Sequence, residues 1–260
     1  REHALEISSY KPGTPSWVDI GVPDMDAAVA FYGGLFGWTF TEGVEEAGGY
    51  RQALIGDKRI AGFGPKMDPG PPFWATYIAT ANVDDTAAKV VAAGGTVIVE
   101  PMDVMDAGRM AVFVDDTGAF FSAWQAGAHP GAELVNEPGA LVWNELNTRN
   151  AEEAKTFYGA VFGWTSETSE SPMMTYTEWH LDGAVIGGML HMGPQFPPQI
   201  PNNWLVYFAV DDTDAAVSKA TELGGSVMMP PMDIDAGRFA VLGDNAGAPF
   251  AVIKLAAGMD

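Results

Sequence analysis

The sequence WVDIGVPDMDAAVAFYGGLFGW, residues 17–38, occurs twice in this chain. It returns as WNELNTRNAEEAKTFYGAVFGW, residues 143–164, in the same register and without a gap. A second unit also repeats, because residues 76–121 are matched by residues 206–250. The chain therefore has an A-B-A′-B′ organisation, and self-similarity of this kind decides the fold before any local pattern does.

Each unit shows the same order of predicted elements. In the first A unit, residues 16–22 alternate as a strand does, and Asp24 is predicted to cap a helix that Gly37 ends. Residues 50–55 and 58–63 are predicted to form a hairpin around Gly56 and Asp57. In the first B unit, residues 101–108 are predicted to be a loop. If residues 39–42 pair as a strand, each unit is a βαβββ module.

The predicted fold class is α+β, with four βαβββ modules forming two tandem domains, each a curved mixed sheet around a cleft. The predicted boundaries are a loose N-terminal arm at 1–13, domain 1 at 14–127 (modules 14–64 and 73–127), a linker at 128–139, and domain 2 at 140–260 (modules 140–192 and 203–255). Pro-rich connectors at 64–72 and 193–201 separate the A and B units.

Composition limits the partners of the chain. Its 34 acidic residues against 13 basic ones give a net charge of −21, which repels nucleic acid, and no apolar run reaches the length of about 20 residues that spans a membrane. Cysteine is absent, so disulfides, thiolate nucleophiles and cysteine metal sites are excluded. The start of the sequence has no signal-peptide pattern. We therefore expect a cytoplasmic protein, a monomer or homodimer, with neither nucleic-acid nor membrane partners.

Two motifs carry a family resemblance. The helix end FYxxxFGW and the strand turn D-x-x-G-x-x-F, each present in both halves, resemble the vicinal-oxygen-chelate superfamily. This group includes glyoxalase I, bleomycin-resistance proteins, fosfomycin-resistance enzymes and extradiol dioxygenases. The segments LVNEPGALVWNEL and PMDxxDAGRMAV resemble a tandem glyoxalase-like branch whose members are often labelled hydroxylases or antigens. The resemblance implies that paired modules enclose a cleft in each half.

The resemblance also implies a divalent metal, held by His, Gln or Glu side chains on the first and last strands of the modules. Aligned onto this chain, those positions fall on residues without useful donors: Trp17, Ala75, Ser122, Trp143, Leu205, Ala251 and the segments IAGFG and VIGGM. We therefore predict no metal and no cofactor. An improvised ligand pair of His180 and His191 is the alternative.

Side chains that alternate along the first and last strands are expected to line the clefts. The candidate ligand-binding residues are Trp17, Phe120, Ser122, Trp124, Trp143 and Asn147. Walls of this kind suit a flat or hydrophobic organic molecule. In the alternative interpretation, the rings fill a closed core.

Asp19 and Glu145 are the candidate catalytic acids. Each follows a tryptophan on an inner strand, where burial would raise its pKa and make it a general acid or base. Tyr77 and Tyr207 are candidates for the matching hydrogen-bond donor. Alternatively, each carboxylate pairs with a neighbouring arginine or backbone amide and has a structural role.

The repeated loop places Arg109 near Asp103 and Asp106, and Arg238 near Asp233 and Asp235. An arginine between two acids can fix a loop. The functional alternative makes Arg109 and Arg238 hooks for an anionic ligand at the cleft rim.

Three functions remain open. The first is an enzyme that transforms a small hydrophobic or aromatic, natural-product-like molecule without the metal, as a lyase or hydroxylase. The second is a non-catalytic protein that sequesters a drug or metabolite, as bleomycin-resistance proteins do. The third is an interaction protein whose clefts are filled by side chains.

Overall fold

The structure, a computed structural model, describes residues 5–67, 69–171 and 174–257. The first four residues of the predicted arm and the last three of the predicted domain 2 lie outside these ranges. The elements of the first half and the linker are β1 (Leu5–Glu6), β2 (Pro15–Val22), α1 (Met25–Phe36), β3 (Thr39–Phe40), β4 (Arg51–Ile55), β5 (Lys58–Pro65), β6 (Trp74–Ala79), α2 (Val83–Ala92), β7 (Thr96–Val104), β8 (Gly108–Val114), β9 (Phe120–Ala126) and β10 (Leu134–Val135).

The second half repeats this order. Its elements are β11 (Leu141–Thr148), α3 (Ala151–Phe162), β12 (Thr165–Glu170), β13 (Thr175–Leu181), β14 (Ala184–His191), β15 (Asn203–Ala209), α4 (Thr213–Glu222), β16 (Ser226–Ile234), β17 (Gly237–Gly243) and β18 (Pro249–Leu255).

Each half forms one mixed sheet. The strand order is β3-β4-β5-β2-β6-β9-β8-β7 in the first sheet and β12-β13-β14-β11-β15-β18-β17-β16 in the second, with β10 and β1 added beside β11. The first strands of paired modules run antiparallel at the centre, β2 against β6 and β11 against β15. The predicted α+β class, with four βαβββ modules in two tandem units, is confirmed.

Local sequence explains where α1 begins and ends. The Asp24 side chain accepts a hydrogen bond from the Ala27 amide at 3.0 Å, which satisfies one of the free amides of the first turn. Gly37 ends the helix with φ of 74°, a conformation that glycine adopts without strain. The inward face of α1 carries the buried residues Ala28, Phe31 and Tyr32.

The hydrophobic cores are shared between the two halves. One core combines residues of β2, β5 and α1, such as Phe31 and Phe63, with residues of β15 and β18, such as Phe208 and Phe250. The other combines residues of β8 and β9 with residues of α3 and β13. The first module thus packs on the fourth and the second on the third, with the helices between the sheets.

A buried chain of hydrogen bonds crosses between the halves in each core. Trp74 donates its indole N–H to the Tyr32 hydroxyl at 2.9 Å, and Tyr32 donates to Asp244 at 3.0 Å. In the other core, Trp204 donates to Tyr158 at 2.9 Å, and Tyr158 donates to Asp115, also at 2.9 Å. Because Asp115 and Asp244 are the first residues of the repeated D-x-x-G-x-x-F motif, this motif joins the halves.

Two local predictions are wrong. The described part of the N-terminal arm is not loose, since β1 pairs with β10 and the Tyr10 hydroxyl donates to the Ala132 carbonyl at 2.7 Å. The segment 101–108 is mainly strand, because β7 continues to Val104 through a register shift between Val99 and Met102. An edge strand with a bulge accommodates the proline that made this segment look like a loop.

Within the described ranges, no helix has the length and apolar character needed to cross a membrane.

Candidate functional site

Two copies of a carboxyl–phenol pair occupy the centres of the two sheets, on the faces away from the helices; Glu145 is buried and Asp19 is half-buried. Asp19 of β2 accepts a hydrogen bond from the Tyr77 hydroxyl at 2.9 Å. Glu145 of β11 accepts one from the Tyr207 hydroxyl at 3.0 Å. The structure therefore brings together both pairs of residues that the sequence nominates as catalytic.

A second phenol approaches each acid from the other side, and the sequence interpretation missed it. Tyr50 donates to Asp19 at 3.3 Å and accepts from the Trp17 indole at 3.2 Å. Tyr176 accepts from the Trp143 indole at 2.9 Å and hydrogen-bonds Glu145. The signal was present, because both tyrosines stand six residues before the turn of the same hairpin in the two A units.

Glycine makes room for this second phenol. Gly62 pairs with Asp19 across β5 and β2, and Gly188 pairs with Glu145 across β14 and β11. A Cβ atom on Gly62 would lie 1.7 Å from the Tyr50 hydroxyl oxygen, and one on Gly188 would lie 2.0 Å from that of Tyr176. Since any side chain would occupy the position of the phenol, these glycines are required by the tryptophan–tyrosine–acid arrangement.

Burial raises the pKa of both acids, and the phenol hydrogen bonds only partly oppose it. The pKa of Asp19 rises from 3.8 to about 6, and that of Glu145 rises from 4.5 to about 7. Burial likewise raises the pKa of Tyr77 and Tyr207 well above 10, with the nearby acid adding to the effect. At neutral pH the phenols therefore keep their protons, while Glu145 is close to half protonated.

This shift predicts that stability depends on pH. Between pH 4.5 and 7 the folded state holds a proton on Glu145 that the unfolded state has released, so the free energy of unfolding falls as pH rises. The raised pKa of Asp19 acts in the same direction. We expect Glu145→Gln to remove the glutamate part of this slope, up to about 3 kcal/mol, in urea unfolding at pH 5 and pH 7.5. An equal slope in the wild type and the variant would contradict the raised pKa.

The first acid lies beside an aromatic group that the linker covers. Trp17 and Trp124 are 3% and 6% exposed, and the Trp124 indole donates to the His129 carbonyl at 2.9 Å. The His129 ring lies edge-on to Trp17, with 4.4 Å between ring centroids. Ser122 is buried next to Tyr77 and hydrogen-bonds its hydroxyl.

The second acid lies beside a less covered aromatic group. Trp143 is half-buried, and Tyr207 packs with Phe239 at 6.1 Å between ring centroids. Asn147 is buried two residues after Glu145 on β11, and its amide is 3.5 Å from Asn203.

Phe120 is not part of either buried group. It is 44% exposed at the start of β9, and its ring lies 5.8 Å from that of Phe73.

The structure places Arg109 and Arg238 in the loop-fixing role that the sequence allowed, rather than at the cleft rim as hooks for an anion. Both point to the helix side of their sheets, because each stands two residues before a core residue, Ala111 or Ala240, on the same strand face. Arg109 bonds Asp103 at 3.0 Å and makes two bonds of 3.0 Å to Asp84 of α2.

Arg238 likewise binds Asp233 and Asp214 of α4. The second acid therefore comes from a helix rather than from Asp106 or Asp235. Both arginines tie a helix to the outer hairpin of its sheet.

The donor set around each acid does not fit a divalent metal. Each site offers one carboxyl that phenols already bind, and the described residues contain no group of three or more His, Cys, Asp or Glu side chains able to hold a metal ion. His180 pairs with Val185 near the hairpin turn, whereas His191 lies at the far end of the same hairpin, so the structure does not bring these two histidines together.

Two of the cavities on the described surface lie away from the acids. One of about 220 Å³ is lined by Ser8, Tyr10, Trp124 and Pro130 among others. The other, of about 410 Å³, lies between the N-terminal arm and the ends of α2 and α3. Neither of these two cavities is lined by Asp19 or Glu145.

Relatives of known name match nearly the whole chain. The chain is 45% identical over 256 residues to the Mycobacterium bovis protein named "Putative glyoxylase CFP32", covering 95% of this chain and 97% of that protein. It is 38% identical over 268 residues to the anthracycline biosynthesis protein DnrV of Streptomyces peucetius, covering 97% of each.

Solved structures share the fold at low sequence identity. The Mn(II)-bound glyoxalase from Novosphingobium aromaticivorans has a TM-score of 0.64 at 17% identity, covering 94% of this chain and 85% of that one. The 2,3-dioxygenase LapB from Pseudomonas sp. KL28 has the same TM-score at 14% identity, covering 94% and 93%.

The sequence also matches the family profile described as Glyoxalase/Bleomycin resistance protein/Dioxygenase superfamily over residues 14–123 and 131–252. Together with the two sheets of paired βαβββ modules, this match shows that the chain belongs to the glyoxalase/bleomycin resistance protein/dioxygenase superfamily.

Proposed function

We propose that this protein binds a small, flat, hydrophobic or aromatic molecule of natural-product type and transfers a proton on it without a metal. The observation that carries the proposal is Glu145, a carboxyl that is 5% exposed, bound by Tyr207 at 3.0 Å, with a pKa of about 7. A general acid or base works best when its pKa is near the working pH.

The chemistry follows from the protonation states. Glu145, when deprotonated, accepts a proton from an acidic C–H or O–H group of the ligand. As Glu145 takes the proton, the Tyr207 hydroxyl gives up its hydrogen bond to that carboxylate. Because Tyr207 keeps its own proton at neutral pH, it then donates a hydrogen bond to the ligand oxygen on which charge develops. Such a pair supports lyase-type or isomerising proton transfer.

Two further observations support the ligand class. Aromatic side chains line the approach to both acids, and flat rings bind well to such walls. The relative DnrV is named for anthracycline biosynthesis, which agrees with a ligand of natural-product type. Lack of cysteine agrees with the cytoplasmic location that we propose.

The test uses a polycyclic hydroxyquinone as the probe, with binding measured by calorimetry and conversion by mass spectrometry. We expect Glu145→Gln to lower turnover by about 100-fold or more while binding is retained. Glu170→Gln is the matched control, since Glu170 is exposed on β12. Undiminished turnover in Glu145→Gln would overturn the proposed role of this acid.

The metal-free part of the proposal has its own check. After dialysis against a chelator, we expect turnover to persist and elemental analysis to find no stoichiometric divalent ion. Loss of turnover that Mn²⁺ or Fe²⁺ restores would show that the reaction needs a divalent metal and would contradict this part of the proposal.

Sequestration without catalysis is the second candidate. It is favoured by the phenol hydrogen bonds, since both acids are already bound at 2.9–3.0 Å and neither surface cavity reaches them. In that case the probe quenches tryptophan fluorescence and no product forms in any variant.

A further inference from the structure

Each concave face carries an apolar cluster beside its acid, but the two clusters are covered differently. The first-sheet cluster includes Trp17, Tyr77 and Trp124, together with Tyr10 from the arm and Ala132 from the linker. Among the described residues, the second-sheet cluster, which includes Trp143 and Phe239, draws all its members from the strands and hairpin turn of the second sheet itself. One face is therefore covered by distant parts of the chain, and the other is not.

His129 supplies the ring that covers the first face. Its ring centroid lies 4.4 Å from that of Trp17 at an angle of 84°, and 5.7 Å from that of Trp124. Under this cover Trp17 is 3% exposed, whereas its repeat counterpart Trp143 is only half-buried. Among the described residues, Trp17 thus has a planar ring packed against it, whereas its repeat counterpart Trp143 has none.

The imidazole of His129 is less suited than an apolar side chain to covering the first face. His129 is 6% exposed, yet neither of its ring nitrogens has a hydrogen-bond partner among the described residues. A buried polar atom without a partner costs stability, and an apolar side chain would avoid that cost. The first face therefore accommodates a planar ring with in-plane nitrogens against Trp17. This indicates that such a face accepts planar aromatic or heteroaromatic rings.

We propose that the concave face of the second sheet binds a planar aromatic or heteroaromatic ring from an external ligand, against Trp143, in the position that His129 holds over Trp17 in the first sheet. The first face is then a closed copy of the same site. The ligand-binding half is thus the second sheet. Whether the bound ligand is then converted rests on the proposed function. Half-buried Met229 and Met232 belong to the same cluster and favour aromatic contacts.

The electrostatics of the chain further restrict the ligand. With 34 acidic residues against 13 basic ones, and with both arginines of the repeated hairpin held by aspartates, the face offers little to an anion. We expect neutral rings to bind and their carboxylated analogues to bind at least 10-fold more weakly.

The test measures the binding of benzimidazole to the full chain by calorimetry. We expect one molecule bound per chain, loss of that binding in Trp143→Leu, and unchanged binding in Phe73→Leu, which alters an exposed ring elsewhere. We expect His129→Gly to raise the stoichiometry to two, because removal of the imidazole opens the first face. Two molecules per wild-type chain, no binding, or binding that survives Trp143→Leu would overturn the proposal.

A second measurement covers the case in which His129→Gly fails to fold. N-bromosuccinimide oxidation of the wild type, mapped by peptide mass spectrometry, should modify Trp143 well before Trp17. Equal rates would refute the difference between the faces. Benzimidazole binding without conversion of any hydroxyquinone would refute the acid–base proposal and leave this one standing.

Discussion

Replacing Trp74 by alanine is expected to lower the free energy of unfolding by about 3–5 kcal/mol, a large part of the roughly 5–15 kcal/mol typical of a folded protein. Trp74 is 2% exposed, and its ring lies 5.2–5.5 Å from those of Tyr32, Phe63 and Phe208. The substitution leaves a cavity where the two halves meet and removes the indole N–H that Tyr32 accepts at 2.9 Å. Urea unfolding followed by circular dichroism measures the loss.

Trp143→Ala is the matched control for this prediction. It deletes the same side chain from a half-buried position on a concave face, so less apolar surface is lost from the interior. We expect it to cost less than half as much as Trp74→Ala. Equal losses would mean that the core shared between the halves contributes no more than the ligand face.

Gly188→Ala is expected to expel the Tyr176 phenol from its position between Trp143 and Glu145. The new Cβ would lie 2.0 Å from the Tyr176 hydroxyl oxygen and 2.9 Å from the Trp143 indole nitrogen, so the ring must leave. The Tyr176 hydrogen bond lowers the pKa of Glu145, and its loss should raise that pKa above about 7. Carboxyl carbon NMR of Glu145 as a function of pH measures the shift.

Two companion variants separate the chemical effect from the steric one. Tyr176→Phe should raise the pKa of Glu145 without the overpacking cost of about 1–3 kcal/mol that the alanine brings. Gly159→Ala adds a methyl group inside α3, where the nearest atom is 3.4 Å away, and should leave Glu145 unchanged. A Glu145 titration in Gly188→Ala that matches the wild type would refute the role given to the glycine.

The features predicted correctly from sequence are those that strand alternation and the internal repeat determine. Alternation located β2 and placed Trp17 and Asp19 on one face, and the repeat transferred that assignment to Trp143 and Glu145. The prediction that Tyr77 lies near Asp19 needed only the adjacency of β2 and β6, which the family resemblance implied.

The features that escaped prediction depend on contacts between distant segments. Tyr50 reaches Asp19 from a neighbouring strand across a glycine, and strand alternation alone does not show such a reach. Beside the predicted Asp103, the second aspartate partner of Arg109 is Asp84 on α2, because the packing of a helix against a strand decides which further acid is within 3.0 Å. The path of the linker, which puts His129 on Trp17, has no periodic signal at all.

The paired Trp–Tyr–Asp chains have a consequence for assembly. In each of these hydrogen-bond chains, a tyrosine of one half donates to an aspartate of the other half. The two halves are covalently linked only through the segment between β9 and β11. The same bonds would form if the first half of one molecule docked on the second half of another. At high concentration, refolding can therefore exchange halves reciprocally between two molecules, which yields a dimer that keeps the contacts between the halves.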